Sequence, residues 1–149
     1  MELISKDFSH LTRIPRRFTC QGLDINPELE IHNVQKQTRS LALIVDDPDV
    51  PLTIRKDGIW VHWVLYNLPS TTTVLLEGTK IGTSGINTSG EKGYMGPCPP
   101  DREHRYFFKL YALDIETDFE IGLSKDEFLV KVDKHVIDYF ELIGLYEKN

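Results

Sequence analysis

At 149 residues, with 40% hydrophobic and 27% charged side chains, the chain has the size and composition of one domain with its own core. A formal net charge of −6, from 17 basic and 23 acidic residues, argues against a global field for nucleic acid or an anionic membrane. It leaves room for one local anion pocket.

The opening residues 1–8 carry charge and lack an apolar h-region, which predicts no secretory signal. No stretch approaches the ~18 apolar residues of a membrane span. A cytoplasmic protein is therefore expected, with export in a processed form left open. Short apolar segments between Pro, Gly, Asn and Asp clusters dominate up to residue 115. That is the rhythm of an all-β sandwich. The predicted strands are 2–4, 29–32, 40–46, 59–68, 74–76 and 104–114. Residues 78–93 place Gly78, Gly82, Gly85 and Gly90 among Thr, Ser and Asn, the composition of a long surface loop. The last predicted element is a helix. Ser124-Lys125-Asp126-Glu127 has the capping-box form, and Phe128, Leu129, Val132, Val136, Tyr139, Phe140 and Ile143 follow at helical spacing up to a stop at Gly144. A break near Asp133-Lys134-His135 stays open.

The chemistry concentrates in three places. Gly93-Tyr94-Met95-Gly96-Pro97-Cys98-Pro99-Pro100 holds too many Pro and Gly for a helix interior or a central strand. It is a stiff loop that delivers His104 to the mouth of an aromatic strand, with Tyr106 on the same strand face. Gly96 permits backbone geometry closed to other residues. Pro97, Pro99 and Pro100 form a rim that can hold an N–H such as that of Cys98 toward a ligand. Asp47 and Asp49 bracket Pro48 after strand 40–46, which alone is favourable turn chemistry. His62 shares a strand face with Trp60 and Val64; a lone His among aromatics is first of all a core residue satisfied by one hydrogen bond. Arg105 alternates away from Tyr106 and pairs with a carboxylate. Asp46 reads as solvated, Trp60, Trp63 and Tyr66 as core, and His10, His32 and His135 as surface or packing residues. Cys20 and Cys98 lie in two loops and allow either a disulfide or two thiols; in a cytoplasm both should stay reduced.

These segments resemble the phosphatidylethanolamine-binding protein family, also called Raf kinase inhibitor proteins. DPDVP with the later WVHW matches the first family signature, and GYMGPCPP with HRYFFKLYAL matches the second. FTCQGLDINP is similar to the opening of the bacterial and archaeal branch, and the resemblance spans roughly residues 15–147. It implies a single domain, 1–149, mostly β, with a central antiparallel β-sandwich, peripheral helices and a C-terminal helical segment. It implies a non-enzymatic binding module for a small phosphate-containing or carboxylate ligand, such as a phospholipid headgroup. Docking of a kinase-like protein partner and a homodimer belong to the same expectation. The implied site is Asp47, Asp49, His62, Gly96, Pro97, Cys98, Pro99, His104 and Tyr106. Asp47 would accept from the ligand, Asp49 would orient loop groups, and His62 and His104 would donate to the anion. Protonation of these histidines would then raise anion affinity as pH falls from about 8 to 6. Animal relatives more usually carry a small residue at the position of Cys98. No cofactor and no metal are expected. The Asp and His types would suit zinc, iron or manganese, yet the spacing lacks HxH or HExxH. A hydrolase using Cys98 with His104 is the other alternative.

Overall fold

The computed structural model describes residues 1–149. The strands are β1 (Glu2–Ile4), β2 (Thr12–Arg13), β3 (Leu29–His32), β4 (Ser40–Asp47), β5 (Trp60–Pro69), β6 (Val74–Leu75), β7 (Thr83–Ser84), β8 (His104–Leu113) and β9 (Val136–Tyr146), with one helix, α1 (Lys125–Lys131). A six-stranded sheet runs in the order β2-β9-β8-β4-β5-β7, and a three-stranded sheet in the order β1-β3-β6. The predicted strands fall within a residue or two of the observed ones. The loop predicted over 78–93 also contains β7, which pairs with Leu65 and Tyr66 of β5.

Strand β4 explains the layering, because every one of its side chains is buried. Leu41, Leu43 and Val45 point into a sandwich core with Leu3, Leu29, Ile31 and Leu75 of the small sheet. Ala42 and Ile44 point the other way, under Phe128, Val132 and Leu123 around α1. A strand covered on both faces reads as a continuous apolar run, which is what 40–46 is. Asp46, expected in solvent, follows the helix-side parity of Ala42 and Ile44. It is buried and accepts from Lys109 Nζ at 3.0 Å and Lys125 Nζ at 2.7 Å. A buried carboxylate needs such partners, and these two tie α1 to the sheet.

The C-terminal prediction needs the largest correction. The capping box is present, with Glu127 N–H donating to Ser124 Oγ at 3.1 Å and Ser124 N–H donating to Glu127 Oε1 at 3.0 Å. The helix nevertheless ends after two turns, and Lys134 takes a left-handed φ of 69°. Val136 through Tyr146 then forms β9, paired antiparallel along β8 from Leu113↔Val136 to His104↔Tyr146. Its β-branched and aromatic content suits a pleated surface, and the outer edge of β8 needed a partner. Gly144 is no helix stop. A Cβ there would run into the Ile14 and Phe8 side chains, so glycine lets the N-terminal segment cross over β9.

Cys20 and Cys98 are joined in a disulfide with Cα atoms 5.5 Å apart, the first of the two alternatives the sequence left open. The backbone already aligns the two loops, since Cys20 N–H donates to Pro97 O at 3.1 Å. No helix is long and apolar enough to cross a membrane.

Candidate functional site

The sandwich-facing parity of β4 and β8 runs past the core into a cavity at the end of the sheet. Val45 sits opposite Phe108 and Asp46 opposite Phe107, so Asp47 emerges beside Tyr106 on the face of Val45 and Phe108. His104 is one more step along that face of β8. His62 arrives by a different device. In the β4–β5 ladder Val45 pairs with Trp63 but Asp46 pairs with Val61, leaving His62 as an extra residue on β5. A bulge of this kind re-aims a side chain and is common beside binding sites. Simple alternation would have sent His62 toward α1 with Val64; the bulge turns it instead to the cavity.

The cavity measures about 300 Å³, and its wall includes Asp47, His62, His104 and Tyr106 among apolar side chains. Those apolar residues are Val50, Ile54, Trp60, Met95, Cys98, Pro99 and Pro100. His62 Nδ1 lies 2.6 Å from the Met95 carbonyl. A carbonyl only accepts, so Nδ1 carries the proton and Nε2 is left as a bare acceptor with no protein partner. Burial pushes the His62 pKa below its ordinary value, outweighing the opposing pulls of the Met95 carbonyl and Asp47. His62 is thus a neutral acceptor, where a cationic donor had been expected. Its ring packs edge-on to Tyr106 at 5.2 Å. The Tyr106 hydroxyl is buried and makes no hydrogen bond of normal geometry, with the Asp47 carboxylate the acceptor on its side. Burial first, and the nearby Asp47 carboxylate second, hold it firmly protonated.

His104 is fully buried, not near solvent, and both its nitrogens are engaged. Nδ1 lies 2.6 Å from Asp47 Oδ2 and Nε2 lies 2.7 Å from Asp101 Oδ1. Each ring nitrogen of His104 thus faces a carboxylate oxygen, which leaves neither free in this arrangement. Asp47 is held on its other side, Oδ1 accepting from Asp49 N–H at 2.8 Å. Asp49 stands outside the cavity wall and forms a two-pronged pair with Arg105, Nε to Oδ2 at 2.9 Å and Nη2 to Oδ1 at 2.8 Å. That pairing holds the Asp49 carboxyl below the usual range.

The stiff loop contributes unequally. Gly96 and Pro97 do not reach the cavity. Gly96 N–H donates to Asp24 Oδ1 at 2.7 Å, and a Cβ at Gly96 would collide with that carboxylate and the Phe18 carbonyl. Pro97 meets Cys20, and Tyr94 Oη donates to Phe18 O at 2.7 Å. This half of the loop is sewn to residues 18–24, while Cys98, Pro99 and Pro100 form the wall. Of the nine expected site residues, the wall therefore includes all but Asp49, Gly96 and Pro97. Sequence reasoning missed Val50, Ile54, Trp60 and Met95 as wall residues. Val50 and Met95 lay inside quoted motifs and Trp60 two residues before His62, so those signals were present; nothing marked Ile54.

A profile of the phosphatidylethanolamine-binding protein family matches residues 4–147. The chain belongs to this family. UPF0098 proteins of Chlamydia trachomatis and Chlamydia pneumoniae are 47% and 48% identical to this phosphatidylethanolamine-binding protein relative, each over all of both chains. A UPF0098 protein of the archaeon Methanothermobacter thermautotrophicus is 43% identical, with 99% of each chain covered. A crystal structure described as a homologue of phosphatidylethanolamine-binding protein from Chlamydia trachomatis superposes with a TM-score of 0.96 at 47% identity, covering 99% of this chain and 97% of that one. YbcL of E. coli, described as a new member of the mammalian family, gives 0.88 at 28% identity, covering 99% and 98%.

Proposed function

We propose that this protein is a non-catalytic binding module whose cavity takes a small oxyanion, a phosphate monoester or a carboxylate. The Tyr106 hydroxyl carries this reading: it is buried without a hydrogen-bond partner, on a ring that packs edge-on to His62 in the same cavity wall. A buried polar group left unsatisfied costs about 1–3 kcal/mol, which a ligand oxygen would recover. The pair is one donor and one acceptor, both neutral. A monoprotonated phosphate ester matches it, with P–O⁻ accepting from Tyr106 and P–OH donating to His62 Nε2. The apolar wall of Val50, Ile54, Trp60 and Met95 suits the organic part of an ester. Phosphorylated side chains and small phosphate monoesters offer this chemistry, whereas a diester headgroup brings acceptors but no P–OH for His62.

The cysteine-hydrolase alternative loses its nucleophile, because the Cys98 sulfur is bonded to Cys20. Calorimetry with phosphoethanolamine tests the binding reading. Tyr106→Phe removes one charge-assisted hydrogen bond and keeps the ring, so affinity should fall by about 1.5–3 kcal/mol, roughly 10- to 100-fold. Equal affinities for wild type and variant would remove Tyr106, and with it this reading.

A further inference from the structure

The wall of the cavity is tied down unevenly. Residues 94–97 are sewn to residues 18–24 by Tyr94 Oη to Phe18 O, Gly96 N–H to Asp24 Oδ1 and Cys20 N–H to Pro97 O. From Cys98 to Glu103 the chain makes no backbone-to-backbone hydrogen bond, until β8 begins at His104. Three consecutive residues of that stretch, Cys98, Pro99 and Pro100, are cavity wall. The prolines stiffen the segment but have no N–H with which to anchor it. The bond from Cys98 to Cys20 is what fastens it. The next ties, Asp101 to His104 and Arg102 to the Asp49 carbonyl, come only after the wall residues. Both cysteines are solvent-exposed, although Phe18, Thr19, Gly96 and Pro97 beside them are buried.

We propose that Cys20–Cys98 is a thiol-exchange site: a dithiol reductant opens it, and opening loosens the cavity wall and weakens ligand binding. The reductant's thiolate attacks one of the two sulfurs. A new S–S bond forms to that sulfur, the Cys20–Cys98 bond breaks, and the other cysteine leaves with the electron pair and takes a proton. The reductant's second thiol then displaces the remaining cysteine. The protein has gained two electrons and holds two thiols, and the reductant ends as a disulfide. Exposed disulfides are the labile class in such exchange. The scaffold survives the opening, because the hydrogen bonds of residues 94–97 do not involve sulfur. Cys20 therefore stays against Pro97, one residue from Cys98, and an oxidant can close the bond again. The exchange stands on the place of the disulfide; its effect on affinity rests on the cavity being an oxyanion site. A loosened wall must be ordered when the ligand arrives, and that cost weakens binding.

The test compares the wild-type chain oxidised and after excess dithiothreitol without denaturant, both thiols being counted by alkylation and mass. Reduction should go to completion with the far-UV circular dichroism unchanged. Calorimetry with phosphoethanolamine should then show affinity lower by about 3- to 10-fold, the cost of ordering one short segment, and restored on reoxidation. Cys20→Ser cannot close the bond and should match the reduced protein in either condition. Backbone amide order parameters from NMR give a readout that needs no ligand. Those of Cys98, Asp101 and Arg102 should fall on reduction, while those of Tyr94 and Met95 hold. A disulfide that yields only after denaturation overturns the proposal. Order parameters, or measurable affinities, that are equal in the two states also overturn it and leave the pocket standing. No phosphoethanolamine binding in either state overturns the pocket reading, and the order parameters then decide for or against the opening of the wall.

Discussion

His62 and His104 stand in the same cavity wall with opposite hydrogen-bonding surroundings. His104 has a carboxylate at each nitrogen; His62 has a carbonyl at one and no partner at the other. The pH response follows. Unfolded, His62 titrates near about 6.5. Folded, burial places its pKa lower. Between the two values the unfolded chain binds the extra proton, so the His62 contribution to stability is complete above about 6.5 and is lost as pH falls from there toward the folded pKa. Urea midpoints measured at pH 7, 6 and 5 should decline, and His62→Gln should flatten that decline. A variant with the same slope as wild type would refute this assignment. The expected rise in anion affinity by protonation of His62 between pH 8 and 6 is likewise withdrawn. Spacing put His62, His104, Tyr106 and Asp47 near one another. It could not say which nitrogen was free, because that depends on Met95 and Asp101, fixed only by the fold. Asp46 was misjudged for a related reason: β4 is covered on both faces, so the direction away from the sandwich core does not lead to solvent either.

At the scale of elements, the strands of the sandwich were legible because Pro, Gly and Asn punctuate them. The last strand was not. Val136, Tyr139, Phe140 and Ile143 satisfy a helical period, yet the same run supplies Ile137, Leu142, Leu145 and Tyr146, and its β-branched and aromatic content was the better signal. Gly144 also tests the crossing. A helix-stop glycine takes a left-handed φ, and Gly144 is not among the glycines that do. In β9 a Cβ meets Ile14 and Phe8, so Gly144→Ala should destabilise by about 1–3 kcal/mol, the usual cost of overpacking. Thermal or chemical denaturation of the variant decides it, and an unchanged midpoint would contradict the crossing seen here. The bulge that presents His62 was also invisible, since a bulge belongs to a pair of strands and shows in neither alone.

For the molecule as a whole, the order of strands in space departs from their order along the chain. β8 lies between β4 and β9, and β9 follows β8 by more than twenty residues along the chain, with α1 between them. Every residue of the cavity wall precedes residue 107, so the wall is synthesised long before the sheet can close. Until Val136–Tyr146 emerges from the ribosome, the outer edge of β8 is an aromatic strand with unpaired backbone groups, a template for pairing with other chains. A nascent chain therefore carries a complete set of cavity-wall residues and an unfinished protein at once. Truncation after His135 should leave every wall residue in place and still yield an aggregating chain that binds no phosphoethanolamine. Recovery of a soluble, monodisperse 1–135 fragment with wild-type affinity would show the contrary. On this topology, the arrival of β9, and not translation of the signature motifs, is the event that closes the sheet behind the pocket.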